Sequence, residues 1–418
     1  MTKRLILAFV FLSWHLVACS NGDSGISSGL PDKPSAEEDS PGTETISEEM
    51  RVKITGEDLY ISAKLDAKTD ILYWFKKCMF NELFTFYRVG TIDNNMPAPV
   101  TLPDVSPTSL LNLAYSDNIG PFNITGYGWC GGNHPYLDEV TQTARNIGYR
   151  IYIDGKEIKT DLSTLTKEIK IEVINEIMNP SKADTSSGKT LLNEILCIET
   201  VNYSIYRNNI QVLVTHEFQN ESPVTVQMYY GMQSMFDKET HTLTANGKYV
   251  DWTVQKDVST FTKKEYPSFR RFIEKSANAY QSSYLFADGL GNHEEISDDD
   301  IIFIGNSSNK TYHKIIADRE HKKGDIIHWS GVYTWFKSPV SDDDDLLCYE
   351  GVIDNKKVLF IDCKKSVDRT IQLPVNYTKK SFTIIEKSKS ITITGNKVTA
   401  KGLKIVSDGS GSCVITFD

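Results

Sequence analysis

Short segments with alternating apolar and polar residues, each followed by turn-forming residues, are the feature that most constrains the fold of this chain. Residues 148–158 alternate in this way around an Asp-Gly dipeptide, which is typical of a two-residue hairpin turn. Residues 202–218 repeat the pattern, with a predicted turn at the Asn-Asn dipeptide 208–209. Because successive side chains of a strand point to opposite faces, this alternation predicts half-buried strands. We expect a mainly β chain: a large antiparallel β-sandwich followed by a small C-terminal β-sandwich domain.

The expected domain limits follow from this pattern. The large β-sandwich spans residues 51–340, and an acidic run at 342–345 separates it from the small β domain at 346–418, where the strand signals are short and evenly spaced. Helical periodicity is scarce. The best candidate is the basic segment Ser268–Tyr280, which we predict to be a surface helix.

The N-terminus carries an export pattern. Lys3 and Arg4 precede an apolar run from Leu5 to Val17, which is too short for a membrane span of about 20 residues. The run ends in Leu-Val-Ala-Cys, with the cysteine at position 19. This resembles the lipobox of bacterial lipoproteins, in which the cysteine is lipidated and becomes the mature N-terminus. The resemblance implies a signal peptide at residues 1–18 and a membrane-lipid anchor on Cys19.

Residues 19–50 are predicted to form a lipidated, disordered tether. From Ser20 to Met50 the chain has eight carboxylates and one lysine, together with many Ser, Gly and Pro residues. Such a composition cannot bury enough apolar surface to offset its chain entropy. The polar start of the tether loosely resembles the export signals of surface-displayed lipoproteins. We therefore expect a cell-envelope protein anchored in the outer membrane and exposed at the surface, with the periplasmic side as the open alternative.

The net charge and the cysteine content limit the possible binding partners and disulfides. The net charge of −10 argues against nucleic acid as a partner. Six cysteines besides Cys19 permit up to three disulfides in an exported chain, with the pairing open. We expect no cofactor. The acidic runs at 298–300 and 342–345 offer oxygen ligands of the kind calcium takes, but neither has EF-hand spacing, and we favour solvated loops.

Two stretches resemble the galactose-mutarotase-like supersandwich, a fold that also forms the large β domain of several polysaccharide lyases. Residues 212–226 are similar to the strand, Asn-x-Ser-x-x-Pro-like turn and strand by which those domains pass from one sheet to the next. Residues 131–136, Gly-Gly-Asn-His-Pro-Tyr, are similar to short His-Pro-Tyr segments of that superfamily. The resemblance covers about a quarter of the chain and implies a carbohydrate-handling protein.

The segment 127–145 holds the main candidate site. Its side chains combine an aromatic platform, amides, a neutral base and phenols, which is the mixture that sugar sites use. Uronate lyases need a base for the proton beside the carboxylate, a group that stabilises the enolate and a tyrosine that protonates the leaving oxygen. The candidate catalytic residues here are Asn133, His134, Tyr136 and Arg145, with Trp129 as the substrate platform. The alternative is a structural loop in which His134 caps backbone carbonyls.

Further candidates lie on predicted strands. His216 and Glu217 should point to opposite faces, and a histidine on a Val-rich face is more often a hydrogen-bonded core residue. The alternative places His216 in the catalytic set, together with Tyr230 from a neighbouring strand, and Gln233 in substrate binding. Trp335 shares one strand face with Trp329 and Tyr333, and suits either the core, which we favour, or a sugar platform.

Three functions follow from these residues. The sharpest is a polysaccharide lyase acting on uronic-acid glycans; the others are a non-catalytic glycan-binding lipoprotein and a structural or adhesion lipoprotein. The lyase requires His134, Tyr136, His216 and Tyr230 within about 10 Å of one another in one open groove. Binding requires only exposed aromatic side chains.

Overall fold

The computed structural model describes residues 46–101, 105–111, 119–236, 241–244, 246–251, 258–261, 270–286, 301–304 and 310–417. The predicted signal peptide, Cys19, nearly all of the predicted tether and the acidic run 298–300 lie outside these ranges. The tether is wrongly predicted at its C-terminal end, because Met50 is fully buried in the body and begins the first strand. Within the described ranges, no helix is long and apolar enough to cross a membrane.

Antiparallel strands make up nearly all of the regular structure, which confirms the predicted mainly β class. The strands that precede residue 340 are β1 (Met50–Thr55), β2 (Asp58–Lys64), β3 (Thr69–Cys78), β4 (Leu83–Asp93), β5 (Ser109–Leu110), β6 (Ile119–Ile124), β7 (Gly128–Cys130), β8 (Ala144–Ile153), β9 (Lys156–Ile158), β10 (Leu162–Thr166), β11 (Ile169–Met178), β12 (Ala183–Asp184), β13 (Leu191–Leu192), β14 (Ile195–Tyr206), β15 (Asn209–Phe218), β16 (Val224–Met235), β17 (His241–Leu243), β18 (Tyr249–Asp251), β19 (Val258–Phe261), β20 (Arg271–Lys275), β21 (Tyr280–Leu285), β22 (Ile301–Ile304), β23 (Lys310–His321) and β24 (Ile326–Phe336). The later strands are β25 (Ser341–Asp342), β26 (Leu346–Ile353), β27 (Lys356–Cys363), β28 (Val367–Ile371), β29 (Phe382–Lys387), β30 (Ile391–Ile393), β31 (Leu403–Ser407) and β32 (Gly411–Phe417). Single 3-10 turns occur at Pro180–Lys182 and Val375–Tyr377.

Three sheets build the part before residue 340. The large sheet has ten strands in the order β18-β17-β20-β21-β24-β15-β14-β11-β8-β9. The N-terminal sheet has six strands in the order β10-β1-β2-β3-β4-β5, and the pocket sheet has six in the order β19-β22-β23-β16-β6-β7. A small hairpin, β12-β13, stands apart.

Both six-stranded sheets pack against the large sheet. Tyr73 of the N-terminal sheet donates a hydrogen bond from its hydroxyl to the backbone oxygen of Arg207, at 2.9 Å. In the pocket sheet, Tyr229 accepts a hydrogen bond from the indole nitrogen of Trp329 at 2.8 Å. One apolar cluster continues through all three sheets. The arrangement is a β-sandwich in which aromatic side chains fill the space between the sheets and use their polar atoms for hydrogen bonds.

Residues 341–417 form a five-stranded sheet, in the order β25-β26-β27-β32-β29, and a three-stranded sheet, β28-β31-β30, with an apolar cluster between them. A further apolar cluster joins the large sheet to the five-stranded sheet. Its members include Tyr284 and Phe336 on one side and Tyr349 and Phe360 on the other. Residues 44–418 accordingly form one compact unit.

The local predictions met different outcomes. The hairpin at Asp154-Gly155 is confirmed, with both residues at positive φ and Ile153 paired with Lys156. The next predicted turn is shifted by one residue, because Tyr206 pairs with Asn209 and Arg207 takes the positive φ. The surface helix expected at Ser268–Tyr280 is wrong where the structure describes it, since β20 occupies 271–275 and is buried.

The chain changes sheets after β15. Residues 219–223 carry it from the large sheet into β16 of the pocket sheet. The expectation that the strand of Tyr230 pairs with that of His216 is therefore wrong. β16 pairs with β6 and β23, and lies in a different sheet from β15.

Candidate functional site

An open cavity of about 240 Å³ lies where the 127–136 segment meets β16 and β23 of the pocket sheet. Five of its lining residues were candidates from the sequence: Trp129, His134, Tyr136, Tyr230 and Gln233. The other two are Pro121 and Tyr312. We call this cavity the aromatic pocket. It joins residues that are more than 180 positions apart in the chain, so the pairing of the strands creates it.

Four aromatic rings follow one another along the aromatic pocket. Tyr136 and Trp129 stack with ring centroids 6.2 Å apart, and Trp129 and Tyr230 stack at 5.9 Å. Tyr312 continues the row, 4.5 Å from Tyr230. His134 lies edge-on to Tyr136 at 5.7 Å. Trp129, His134, Tyr136 and Tyr312 are partly exposed, so rings and imidazole present an accessible surface.

Two adjacent glycines shape the loop that carries His134. Gly131 and Gly132 have φ values of 79° and 56°, which residues with a Cβ rarely adopt. The side chain of Asn81 holds this turn by donating a hydrogen bond to the Gly132 carbonyl at 2.7 Å, and its own oxygen accepts from the Thr143 backbone at 3.1 Å. The loop is thus tied to the N-terminal sheet at both ends.

The far end of the loop is fixed by Asp138. Its carboxylate accepts hydrogen bonds from the backbone N–H groups of Val140, at 2.9 Å, and Thr141, at 2.6 Å. The Val140 bond, followed by that of the Thr141 hydroxyl, lowers the pKa of Asp138 to about 2. The carboxylate is charged at neutral pH and serves the loop structure.

Irregular pairing in β16 sets the direction of the pocket residues on that strand. The register shifts between Tyr229 and Tyr230 and again between Gly231 and Ser234, and Met232 has a φ of 52°. Gly120 on β6 permits this path, since a Cβ there would lie 1.7 Å from the backbone oxygen of Tyr230. Bulges of this kind re-aim side chains and are common beside binding sites.

Gln233 is the lining residue of the aromatic pocket that carries a side-chain amide. Its side chain is only 3% exposed, and its Nε2 has no hydrogen-bond partner. A buried donor without a partner costs about 1–3 kcal/mol, so an oxygen from a bound molecule would relieve this cost. Asn133 is also fully buried with both amide atoms unpartnered, but it does not line the pocket.

His216 is not part of the pocket. It is fully buried on β15, with its Nε2 2.9 Å from Glu199 Oε2, and Asn175 donates to the other oxygen of Glu199 at 2.9 Å. Phe122 and Tyr229 lie edge-on to the imidazole, with centroids about 5 Å away. The favoured prediction of a hydrogen-bonded core histidine is confirmed, and its catalytic alternative is corrected. Glu217 is exposed on the opposite face, as expected.

Arg145 and Trp335 also lie elsewhere. Arg145 stands on the exposed face of β8, where its guanidinium pairs with Glu176. Trp335 is fully buried and donates from its indole nitrogen to Gln281 Oε1 at 2.8 Å. The substrate contact predicted for Trp335 is therefore wrong, and the favoured core placement is right.

Sequence reasoning missed Pro121, Tyr312 and Asn81. Tyr312 alternates with His313 on β23, and only the pairing of β23 with β16 brings it to Tyr230. Asn81 acts through the backbone of a loop 51 residues away. Tyr312 and Asn81 therefore carry no local sequence signal for their roles.

The described residues include most of the His, Cys, Asp and Glu side chains that a metal or disulfide would use. No group of three or more His, Cys, Asp or Glu side chains in the described ranges could hold a metal ion. In the acidic run 342–345, Asp342 pairs with Lys275 and Lys364, and Asp343 pairs with Arg369. The sequence predicts a solvated loop for this run, but these two carboxylates are ion-paired. Of the six cysteines for which disulfides were an open possibility, Cys130, Cys197, Cys348, Cys363 and Cys413 are free, buried thiols, and Cys78 is buried as well.

Comparisons with known proteins give distant structural similarity alone. No family model and no curated protein sequence matches the chain. A family 36 α-galactosidase from Geobacillus stearothermophilus is similar over 67% of this chain, with 10% identity and a TM-score of 0.37. An α-galactosidase from Lactobacillus brevis is similar over 69%, with 10% identity and a TM-score of 0.38. A family 97 glycoside hydrolase from Pseudoalteromonas sp. strain K8 is similar over 70%, with 5% identity and a TM-score of 0.34. The chain spans 41%, 40% and 36% of these three structures' lengths, respectively.

Proposed function

We propose that this protein is an envelope lipoprotein that binds polysaccharide in the aromatic pocket. The observation that carries the proposal is the row of four aromatic rings beside the unpartnered Nε2 of Gln233. Sugar sites combine apolar ring faces with a few placed polar groups. A pyranose ring can lie against the exposed aromatic surface while one of its hydroxyl oxygens accepts from Gln233.

The size of the pocket bears on what it receives. Its volume of about 240 Å³ is below the roughly 300–1,000 Å³ of pockets that enclose drug-sized ligands. We infer that it takes a chain end or a side branch, while the rest of the polysaccharide stays in solvent. No carboxylate or guanidinium is among the pocket-lining residues of the described chain, which favours recognition of hydroxyl groups.

We expect Trp129→Ala to weaken glycan binding by about tenfold, equivalent to about 1.4 kcal/mol, because it removes the ring that stacks on both Tyr136 and Tyr230. Calorimetry against a panel of neutral polysaccharides measures this. Tyr127→Ala is the matched control, since Tyr127 is a 54% exposed aromatic residue two positions away and does not line the pocket. Equal affinity for the two variants would refute the site.

A lyase activity is the second candidate, favoured by one observation. His134 and Tyr136 are adjacent in the pocket, and the Gln233 amide lines the same space. In that reaction His134 would act as base and Tyr136 as proton donor, and the amide would stabilise the enolate in place of Arg145. Absorbance of unsaturated uronate products decides between binding and cleavage. His134→Gln should abolish the signal and retain glycan binding; no signal from the parent protein on any uronate polymer would leave binding alone.

We also propose that Cys19 is lipidated and anchors the chain to a membrane, on the strength of the Leu-Val-Ala-Cys pattern and the acidic segment behind it. Cys19→Ala should remove the acyl chains and move the protein from the membrane fraction to a soluble one, because two or more acyl chains give stable anchoring. Metabolic labelling with an alkyne fatty acid tests this. Label that persists on the variant would disprove the assignment.

A further inference from the structure

The outer face of the N-terminal sheet carries a second row of aromatic and basic residues, unrelated to the aromatic pocket. Near the middle of β1 to β4, buried apolar residues face the core, and Lys53, Tyr60, Trp74 and Arg88 on the opposite face are at least partly exposed. Cross-strand pairing aligns Lys53 with Tyr60, Tyr60 with Trp74, and Trp74 with Arg88. Strands lie about 4.8 Å apart, so this row extends roughly 14 Å across the sheet.

Ring contacts order the row around Trp74. Tyr60 stacks on Trp74 at 5.4 Å, and Tyr87 meets it edge-on at 5.0 Å. The indole nitrogen of Trp74 donates to Asp58 at 3.0 Å, which fixes the plane of the ring. Lys76 places its ammonium 4.3 Å from the Trp74 ring and 4.2 Å from the Tyr87 ring.

A groove of about 330 Å³ runs beside this row. One wall is made by Tyr60, Trp74 and Arg88, and the other by the segment 105–110. The groove is larger than the aromatic pocket and has a more apolar lining that includes Leu72, Pro107 and Leu110. An extended ligand could lie in it with one face against Trp74.

Along this row three cations outnumber the one carboxylate hydrogen-bonded to Trp74, that of Asp58. The chain carries a net charge of −10, yet Lys53, Lys76 and Arg88 lie along the row. Within the described part of the chain, none of these three cations pairs with a carboxylate, whereas the adjacent Lys77 pairs with Glu57 at 3.0 Å. A site of this composition suits a ligand with apolar ring faces and negative charges along its length.

We propose that this face, the N-terminal groove, binds a segment of anionic polysaccharide with carboxylate or sulfate groups. A sugar ring packs against the groove side of Tyr60 and Trp74, and its negative groups lie near Lys76, Arg88 and Lys53. An anionic lipid surface shares the charge but is flat, and it would not fill a groove walled by the segment 105–110. The site extends the proposed function by a second, charge-selective contact, and it does not depend on the aromatic pocket.

The test measures binding of the full folded chain to polygalacturonate and dextran sulfate, with neutral dextran as the uncharged comparison. Trp74→Ala should weaken binding to both polyanions by about tenfold. Arg88→Gln and Lys76→Gln should each weaken it severalfold and flatten its dependence on salt. Lys77→Gln is the matched control on the same strand and should bind like the parent. Thermal midpoints establish that each variant is folded.

Several outcomes decide the proposal. Binding of polyanions that is unchanged in Arg88→Gln and Lys76→Gln would overturn it, and so would stronger dependence on Trp129 than on Trp74. Binding to phosphatidylglycerol vesicles but not to the soluble polyanions would assign the face to a membrane instead. Because Trp129→Ala should leave polyanion binding intact, failure of the aromatic pocket and failure of the N-terminal groove are distinguishable.

Discussion

Asp362→Ala should lower the free energy of unfolding by about 3–5 kcal/mol, because it leaves the guanidinium of Arg271 buried without a counter-charge. The two side chains form an ion pair and are 5% and 2% exposed. Arg271 lies on β20 of the large sheet, and Asp362 on β27 of the five-stranded sheet. Burial already lowers the pKa of Arg271, which reports the cost of placing this charge away from water. Urea unfolding followed by circular dichroism and tryptophan fluorescence measures the loss.

The double variant Arg271→Met with Asp362→Leu is the control. It removes both charges and fills the space with apolar atoms, a change that is often neutral or stabilising for buried pairs. A loss for Asp362→Ala within about 0.5 kcal/mol of zero would show that water or a neighbouring group compensates the arginine. Because the ion pair lies beside the apolar cluster that joins the two sheets, we expect both optical signals to shift together.

The same residues explain why one sequence prediction is wrong. In the segment 271–275, three charged residues flank two apolar ones, and this pattern resembles the exposed face of a helix. The structure instead buries Arg271 and Glu274 within a strand, where Asp362 and Ser234 serve as their partners. The local sequence of polar and apolar residues does not indicate ion-pair or hydrogen-bond partners that lie 40 or more residues away.

Prediction succeeds where the physical cause is local. Asp154-Gly155 specifies a hairpin because both residues tolerate positive φ, and the chain has that turn. The Val-rich strand face of His216 predicts a core residue, and His216 is buried. The candidate loop was found because glycines, an amide and aromatic residues coincide in one segment, and several of these residues line one cavity.

The rest of the site depends on sheet pairing that the sequence does not display. Arg145 is close to the candidate loop in sequence, yet its strand carries it to an exposed pair with Glu176. Tyr312 enters the aromatic pocket only through β23. The N-terminal groove had no local signal either, because Tyr60, Trp74 and Arg88 are one per strand and form a row only after β2, β3 and β4 pair.

Glu274→Gln should make the protein more stable at pH 8 by about 4 kcal/mol and leave its stability near pH 4.5 almost unchanged. Glu274 is fully buried on β20, where it accepts a hydrogen bond from the hydroxyl of Ser234, and its Oε1 has no partner. Burial raises its pKa from 4.5 to about 8. The folded protein therefore keeps this carboxyl protonated at neutral pH.

The sign of the effect follows from which state releases the proton. From pH 4.5 to about 8 the unfolded chain has lost the proton that the folded chain still holds, so the free energy of unfolding falls by about 1.4 kcal/mol per pH unit. The contribution is complete below pH 4.5 and is lost once the pH has passed 8. Glutamine keeps the shape and cannot ionise, so the variant should lack this slope.

Urea titrations at half-unit steps of pH measure the slope directly. Glu217→Gln, on the exposed side of β15, is the matched control and should follow the parent curve.

The buried network beside Glu274 runs through Ser234 and Gln281 to the indole of Trp335, and Ser234 is the neighbour of Gln233 in the aromatic pocket. Ionisation of Glu274 should therefore also loosen the pocket end of β16. Glycan affinity that falls toward pH 8 in the parent and stays constant in Glu274→Gln is the expected result. If glycan affinity changes with pH in the same way in both proteins, ionisation of Glu274 does not affect the aromatic pocket.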